Sequence, residues 1–279
     1  MTNPQPPAPG PTTGATLELL TEHARTLDLA PVFARFDADG YAPLGKILTD
    51  EAIAQLQTAS DDLLLGRVRP EGMFFQLDSP TGKYDDVAFD TGWVGPRLDY
   101  RKVEKLEREP RFLALIENPL FARVAHARIG PDVAIYRAVL WVKAPSGGTE
   151  LPWHQDGGRF WGIDRDPTLQ TWVALDDAPL DAGCVRVVPG SHRAGLVTEF
   201  GGQIADDVLA RENAEARAVS LPVKAGEAML LHNHTWHTSG LNSSGKIRRA
   251  VGICYINAAT KCTRKRHKPR TFVRVFEDR

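Results

Sequence analysis

The second half of the chain alternates between short apolar runs and turn-forming clusters. VAIYRAVLWVKA, LQTWVAL, CVRVV, AVSLPV, EAMLLHNH and IRRAVGICYIN are rich in β-branched and aromatic residues, and APSGG, DDAPLDAG, PGSH and KAGE separate them. That texture predicts a succession of short strands. Upstream the pattern is helical. Leu17, Leu19 and Leu20 recur with Leu27, Thr49 or Asp50 is placed to cap a helix through EAIAQLQTASDDLLLGR, and a further helix is expected through PRFLALIENPLFARVAHARIG, stopping at Gly130. QIADDVLARENAEARA reads as a helical insertion between strands. Helices followed by many strands predict a mainly β protein with a helical N-terminal part, a sandwich or jelly-roll barrel buttressed by helices on one side.

Two segments break this pattern. Residues 1–14 are rich in Pro, Gly and Thr and are expected to form a disordered tail, leaving 15–279 as a single domain. Residues 68–101 are rich in Gly, Pro and Asp yet carry Phe74, Phe75, Tyr84, Phe89 and Trp93. Aromatic side chains on such a loop either line a ligand site or anchor the loop to the core.

Composition narrows the function classes. The chain has 279 residues, 42% hydrophobic and 25% charged, with 34 basic and 35 acidic side chains for a formal net charge of −1. Nucleic acids and anionic membranes select basic surfaces, so neither is expected as a partner. Cys184, Cys254 and Cys262 form no CxxC pair, which argues against a disulfide framework or a thiolate zinc site. The N-terminus has no basic start followed by an apolar stretch, and no later run is long enough to span a bilayer, so a cytoplasmic protein is expected.

The candidate chemistry lies in the strands. His154 and Asp156 stand two apart in ELPWHQDGG, and on an extended chain such residues share a face. His237, in HTWHTSGLN, offers a third donor. Two imidazoles and one carboxylate on one side of iron(II) leave positions open for a cosubstrate and O₂. Arg248 opens the last predicted strand, and its guanidinium fork suits the distal carboxylate of 2-oxoglutarate. A competing set is His232 and His234, which with Gly226 resemble half of the His-x-His motif of other cupins. The glutamate expected after it is missing, so these two are read as supporting or structural, and His192 as a turn residue.

At this point WHQDG, TWVALDDAPLDAGCVRVVPGSH and KAGEAMLLHNHTWHTSGLNSSGKIRRA together resemble the phytanoyl-CoA dioxygenase family, over roughly residues 30–258. The resemblance implies a double-stranded β-helix, iron(II), 2-oxoglutarate as cosubstrate and O₂. By position it implies His154, Asp156 and His237 as metal ligands and Arg248 as the cosubstrate anchor. It also implies Trp172 packing on the cosubstrate, Ser239 hydrogen-bonding it and Lys102 as a further basic contact. Halogenating relatives replace the carboxylate ligand by a small residue. Asp156 therefore favours hydroxylation of a small-molecule substrate, of acyl or specialised-metabolite type, with release of succinate and CO₂. Desaturation, ring formation and epimerisation share its first step.

Substrate contacts are expected from Gln155, Arg159, Phe160, Trp161 and Trp236 near the ligands and from Phe75 in the aromatic-rich loop. The basic run KCTRKRHKPRTFVR is either a solvated face or a mouth for an anionic substrate. Two other readings stay open: a cupin-like isomerase or hydrolase without a keto acid, and a non-catalytic ligand-binding barrel. The expected assembly is a monomer or homodimer.

Overall fold

The structure, a computed structural model, describes residues 18–89, 91–145, 147–265 and 269–277. The tail 1–14, Leu17 and residues 266–268 of the basic run lie outside the described residues.

Caps set the helices. Thr21 accepts from the Ala24 N–H to start α1 (Glu22–Thr26), and Asp28 accepts from Ala30 to start α2 (Leu29–Asp39). Leu20 consequently precedes the helix and bridges Leu48. Thr49 caps α3 (Asp50–Leu64) through the Ala52 N–H at 3.2 Å, as its sequence predicts. The single helix expected from residue 110 onward is instead two, α4 (Pro110–Ile116) and α5 (Pro119–Ile129). Asn118 accepts from the Phe121 N–H at 3.0 Å and Pro119 fills the first turn, where a missing N–H costs nothing.

The strands are β1 (Tyr41–Lys46), β2 (Phe74–Leu77), β3 (Tyr100–Glu104), β4 (Val133–Lys143), β5 (Leu151–Gln155), β6 (Leu169–Ala174) and β7 (Val185–Val187). After these come β8 (Gly202–Gln203), β9 (Val219–Leu221), β10 (Glu227–Leu231), β11 (His237–Ser239), β12 (Arg248–Asn257) and β13 (Val273–Phe276). Short helices α6 (Asp206–Arg211) and α7 (Ala214–Arg217) form the expected insertion. Strands β1, β2, β3, β8 and β13 were not expected, and Gln203 of β8 falls in the segment read as helical. β1 carries Pro43 and Gly45, which mask its pattern, with a bulge between them.

Among the described residues the strands form two antiparallel sheets, the two-layer roll that the strand pattern predicts. The larger runs β1-β10-β6-β12-β4-β3-β2 with β13 beside β4, and the smaller runs β8-β5-β11-β7-β9. Period-two alternation gives the large sheet two different faces. Ala138 and Leu140 on β4, Leu169 and Val173 on β6, and Val251 and Ile253 on β12 join Phe36, Leu56, Phe112 and Phe121 in the helix-side core. The intervening positions Arg137, Trp141, Lys143, Gln170, Trp172, Arg248 and Gly252 turn to a cavity on the other face. Gly252 makes room for an aromatic wall there, because a Cβ on it would lie 2.9 Å from the Trp141 indole nitrogen.

Candidate metal centre and its cavity

β5 and β11 are hydrogen-bonded neighbours in a register that sets His237 directly opposite His154. Directly opposed residues point to the same face, and the ring centroids are 3.9 Å apart. Asp156 follows β5 immediately. One donor atom from each of His154, Asp156 and His237 can be chosen so that all lie within 4.8 Å of one another.

Backbone carbonyls orient the imidazoles. His154 Nδ1 lies 2.9 Å from the Pro152 oxygen, and His237 Nδ1 lies 2.8 Å from the Thr235 oxygen. A carbonyl only accepts, so each neutral ring carries its proton on Nδ1 and keeps a lone pair on Nε2. The carboxylate is held as firmly: Asp156 Oδ1 accepts from Arg137 Nη2 at 3.2 Å and Oδ2 from Gln170 Nε2 at 2.8 Å. Burial alone would raise the Asp156 pKa, but Arg137 foremost, then the two imidazoles, hold it at about 2. Burial, reinforced by the neighbouring His237 ring, pushes His154 down to about 3. At neutral pH His154 is therefore neutral and Asp156 anionic, the protonation states that metal ligation requires. The donor set of two nitrogens and one oxygen, with one side facing a cavity, fits a non-haem iron(II) centre.

The cavity measures about 280 Å³. At one end stands Arg248, only 3% exposed, paired in register with Lys143. Its Nη2 donates to the Gly183 oxygen at 2.9 Å, and its guanidinium carbon lies 5.7 Å from the Trp172 ring centroid. Gly183 holds a left-handed φ of +64°, and a Cβ on it would fall 2.4 Å from the Gly240 oxygen, so only glycine brings this carbonyl to Arg248. No carboxylate among the described residues lies within ion-pair distance of Arg248. Burial lowers its pKa to about 10, which leaves it a cation at neutral pH. Trp172 and Ser239 line the same cavity.

The sequence model of the family described as Phytanoyl-CoA dioxygenase (PhyH) matches residues 36–250. The chain belongs to the phytanoyl-CoA dioxygenase family. A phytanoyl-CoA dioxygenase from Arabidopsis thaliana is 34% identical over 150 residues, covering 53% of each protein. The chain thus spans about half the length of the curated relatives it matches most strongly. Among solved structures, EctD from S. alaskensis with 2-oxoglutarate and 5-hydroxyectoine superposes with a TM-score of 0.70 at 23% identity, covering 90% of this chain and 85% of EctD. The epimerase SnoN in complex with Fe³⁺, alpha ketoglutarate and nogalamycin RO gives 0.68 at 18% identity, covering 88% and 94% respectively. The shared fold is the double-stranded β-helix expected of phytanoyl-CoA dioxygenase relatives.

Within this family fold, the remaining sequence candidates divide. Lys102 lines the cavity but pairs with Glu104 at 2.8 Å. Phe160 and Trp161 line it as well, Trp161 stacked on Tyr136 at 4.3 Å. Gln155 reaches the lining, yet its amide is used on backbone: Nε2 donates to Gly195 and His234 oxygens, and Oε1 accepts from Val197. The structure does not bring the other three to the cavity. Arg159 is exposed and paired with Glu199 at 2.7 Å, Trp236 packs with Trp153 and Ile204, and Phe75 sits in the main core against Tyr100. His232 packs against His192 at 4.8 Å and His234 faces Asp166 at 3.5 Å, and neither joins the metal-competent group.

Sequence reasoning missed Arg101, Arg137, Trp141, Lys143 and Gln170, all of which line the cavity. A signal for three of them was present. Arg137, Trp141 and Lys143 interrupt an otherwise apolar run, VAIYRAVLWVKA, at positions an odd-numbered strand face would share. Polar residues on one face of an interior strand imply a polar interior. In the basic run, Arg264 donates to the Phe160 oxygen at 2.8 Å and Arg270 to that of Tyr136, which ties this segment to the backbone of cavity-side elements, and neither arginine lines the cavity itself.

Proposed function

We propose that the protein is an iron(II)- and 2-oxoglutarate-dependent oxygenase that hydroxylates a small organic substrate, with release of succinate and CO₂. The observation that carries this reading is Arg248: a buried guanidinium without a carboxylate within ion-pair distance among the described residues, in one cavity with a His–Asp–His group. A buried cation is costly unless a ligand supplies its anion, and a dicarboxylic keto acid carries one carboxylate for the metal group and another for Arg248. The ligands named with EctD and SnoN support the same cosubstrate.

Bound iron(II) and 2-oxoglutarate supply, on reaction with O₂, an oxidant able to take a hydrogen atom from carbon. The chain's own work is placement. His154, His237 and Asp156 present three donors to one side, and Arg137 and Gln170 keep the carboxylate from turning away. Arg248 takes the distal carboxylate of the cosubstrate beside Ser239 and the Trp172 face. Tyr84, Trp141 and Trp161 line the cavity as aromatic walls. Asp156 fills the position that a halide would need, which favours oxygen transfer.

The test is product analysis. In a screen for compounds that stimulate succinate release, the product is expected to gain one oxygen atom drawn from isotopically heavy dioxygen, with one succinate formed per product. A product of unchanged mass, or one lighter by two hydrogens, would instead assign epimerisation or desaturation.

A further inference from the structure

The cavity holds more positive charge than the cosubstrate can neutralise. Arg101 and Lys143 line it at 6% and 5% exposure, and among the described residues neither, like Arg248, has a carboxylate within ion-pair distance. Lys102 is answered by Glu104 and Arg137 by Asp156. A divalent metal, Asp156, Arg137 and the two carboxylates of 2-oxoglutarate would cancel one another. Arg248 and Arg101 then face only carboxylates beyond ion-pair contact: Asp176, which is paired with Arg249, Glu104, which is paired with Lys102, and Asp78, whose own pKa burial raises. Burial also pushes the Lys143 ammonium well below its ordinary pKa, so it is left out of the balance. Such an excess in a low-dielectric space calls for a second anion.

Arg101 is where that anion fits. One guanidinium nitrogen donates to Gln76 Oε1 at 2.6 Å, and Gln76 is fully buried, so the head group is fixed. The other N–H donors have no acceptor among the described residues and face the cavity. Around them stand aromatic surfaces: the guanidinium carbon is 5.3 Å from the Tyr84 ring centroid and 5.7 Å from that of Trp141, with Phe89 edge-on to Tyr84. The volume is the second constraint. At about 280 Å³ the cavity lies at the low end for small-molecule sites, and the cosubstrate occupies part of it.

Resting on the oxygenase reading, we propose that Arg101 anchors a carboxylate of the primary substrate at a subsite separate from that of Arg248. The substrate class is then a compact carboxylic acid with an apolar or aromatic body.

The test uses 3-phenylpropanoate and its uncharged analogue 3-phenylpropanamide, titrated calorimetrically into anaerobic protein loaded with iron(II) and 2-oxoglutarate. The acid is expected to bind at least about tenfold more tightly than the amide, the worth of one charge-assisted hydrogen-bond pair. Arg101→Gln is expected to erase that preference with 2-oxoglutarate affinity unchanged, and Arg101→Lys to restore part of it. Equal affinity for acid and amide, or no binding of the acid, overturns the subsite without recourse to any variant. Loss of 2-oxoglutarate affinity in Arg101→Gln as large as the loss for the acid overturns it too. A failure of the oxygenase reading is separate, since wild-type protein would then not bind 2-oxoglutarate.

Discussion

Replacing His237 by alanine is expected to remove metal-dependent turnover, whereas replacing His234 by alanine is expected to leave it in place. The two residues are three apart, and both belong to a histidine-rich turn. Register separates them. His237 sits on β11 across from His154 with Nδ1 committed to the Thr235 carbonyl, while the His234 ring faces Asp166, away from the metal-competent group. Loss of an outer contact to a metal ligand weakens metal binding by about 10–100-fold, so loss of a ligand itself should exceed the upper end, about 100-fold. Titration with iron(II) under anaerobic conditions, followed by succinate formation, measures both quantities. Retained metal affinity in His237→Ala together with its loss in His234→Ala would transfer the third ligand to the cupin-like pair.

Arg248→Met is expected to weaken 2-oxoglutarate binding by some hundredfold or more and to leave iron(II) affinity unchanged. Truncating one member of a buried charge pair costs about 3 kcal/mol or more, and each 1.4 kcal/mol is about a factor of ten. The guanidinium also donates to the Gly183 oxygen, so folding could be affected by the same change. The ligand-induced rise in melting temperature distinguishes the two effects. Wild-type protein should melt higher with 2-oxoglutarate than without it, and Arg248→Met should lose that increment whatever its own melting temperature. Arg248→Lys keeps the charge but not the two-point fork, and an intermediate loss is expected. An undiminished 2-oxoglutarate shift in Arg248→Met would mean that another cation, Lys143 being nearest in register, is the anchor.

What could be read from the sequence followed from local rules. His154 and Asp156 were legible because spacing of two on an extended chain fixes a common face, and Thr49 because a cap acts on the N–H groups that follow it. The helical break at Asn118 and Pro119 was legible in principle from the Asn-Pro pair but was masked by apolar residues on both sides. Residues whose placement depends on distant partners were harder. Phe75 and Phe89 come from one loop-rich stretch, yet Phe75 enters the core because β2 pairs with β3, while Phe89, in the loop between those strands, reaches the cavity lining. Gln155 lies between two ligands and looks available, but its amide is spent on backbone groups up to 79 positions away. Arg101 and Lys102 are neighbours of the same charge, and only the partner Glu104 makes one balanced and the other not.

The central claim is that His154, Asp156, His237 and Arg248 hold iron(II) and 2-oxoglutarate together in one cavity. The visible absorption spectrum of anaerobic protein titrated with both tests this most directly. A keto acid chelating the metal through two atoms gives a weak charge-transfer band, and the geometry predicts that the band grows to saturation with 2-oxoglutarate in wild type and fails to form in His237→Ala. Protein that binds iron(II) with full occupancy and shows no such band at any 2-oxoglutarate concentration would contradict the account.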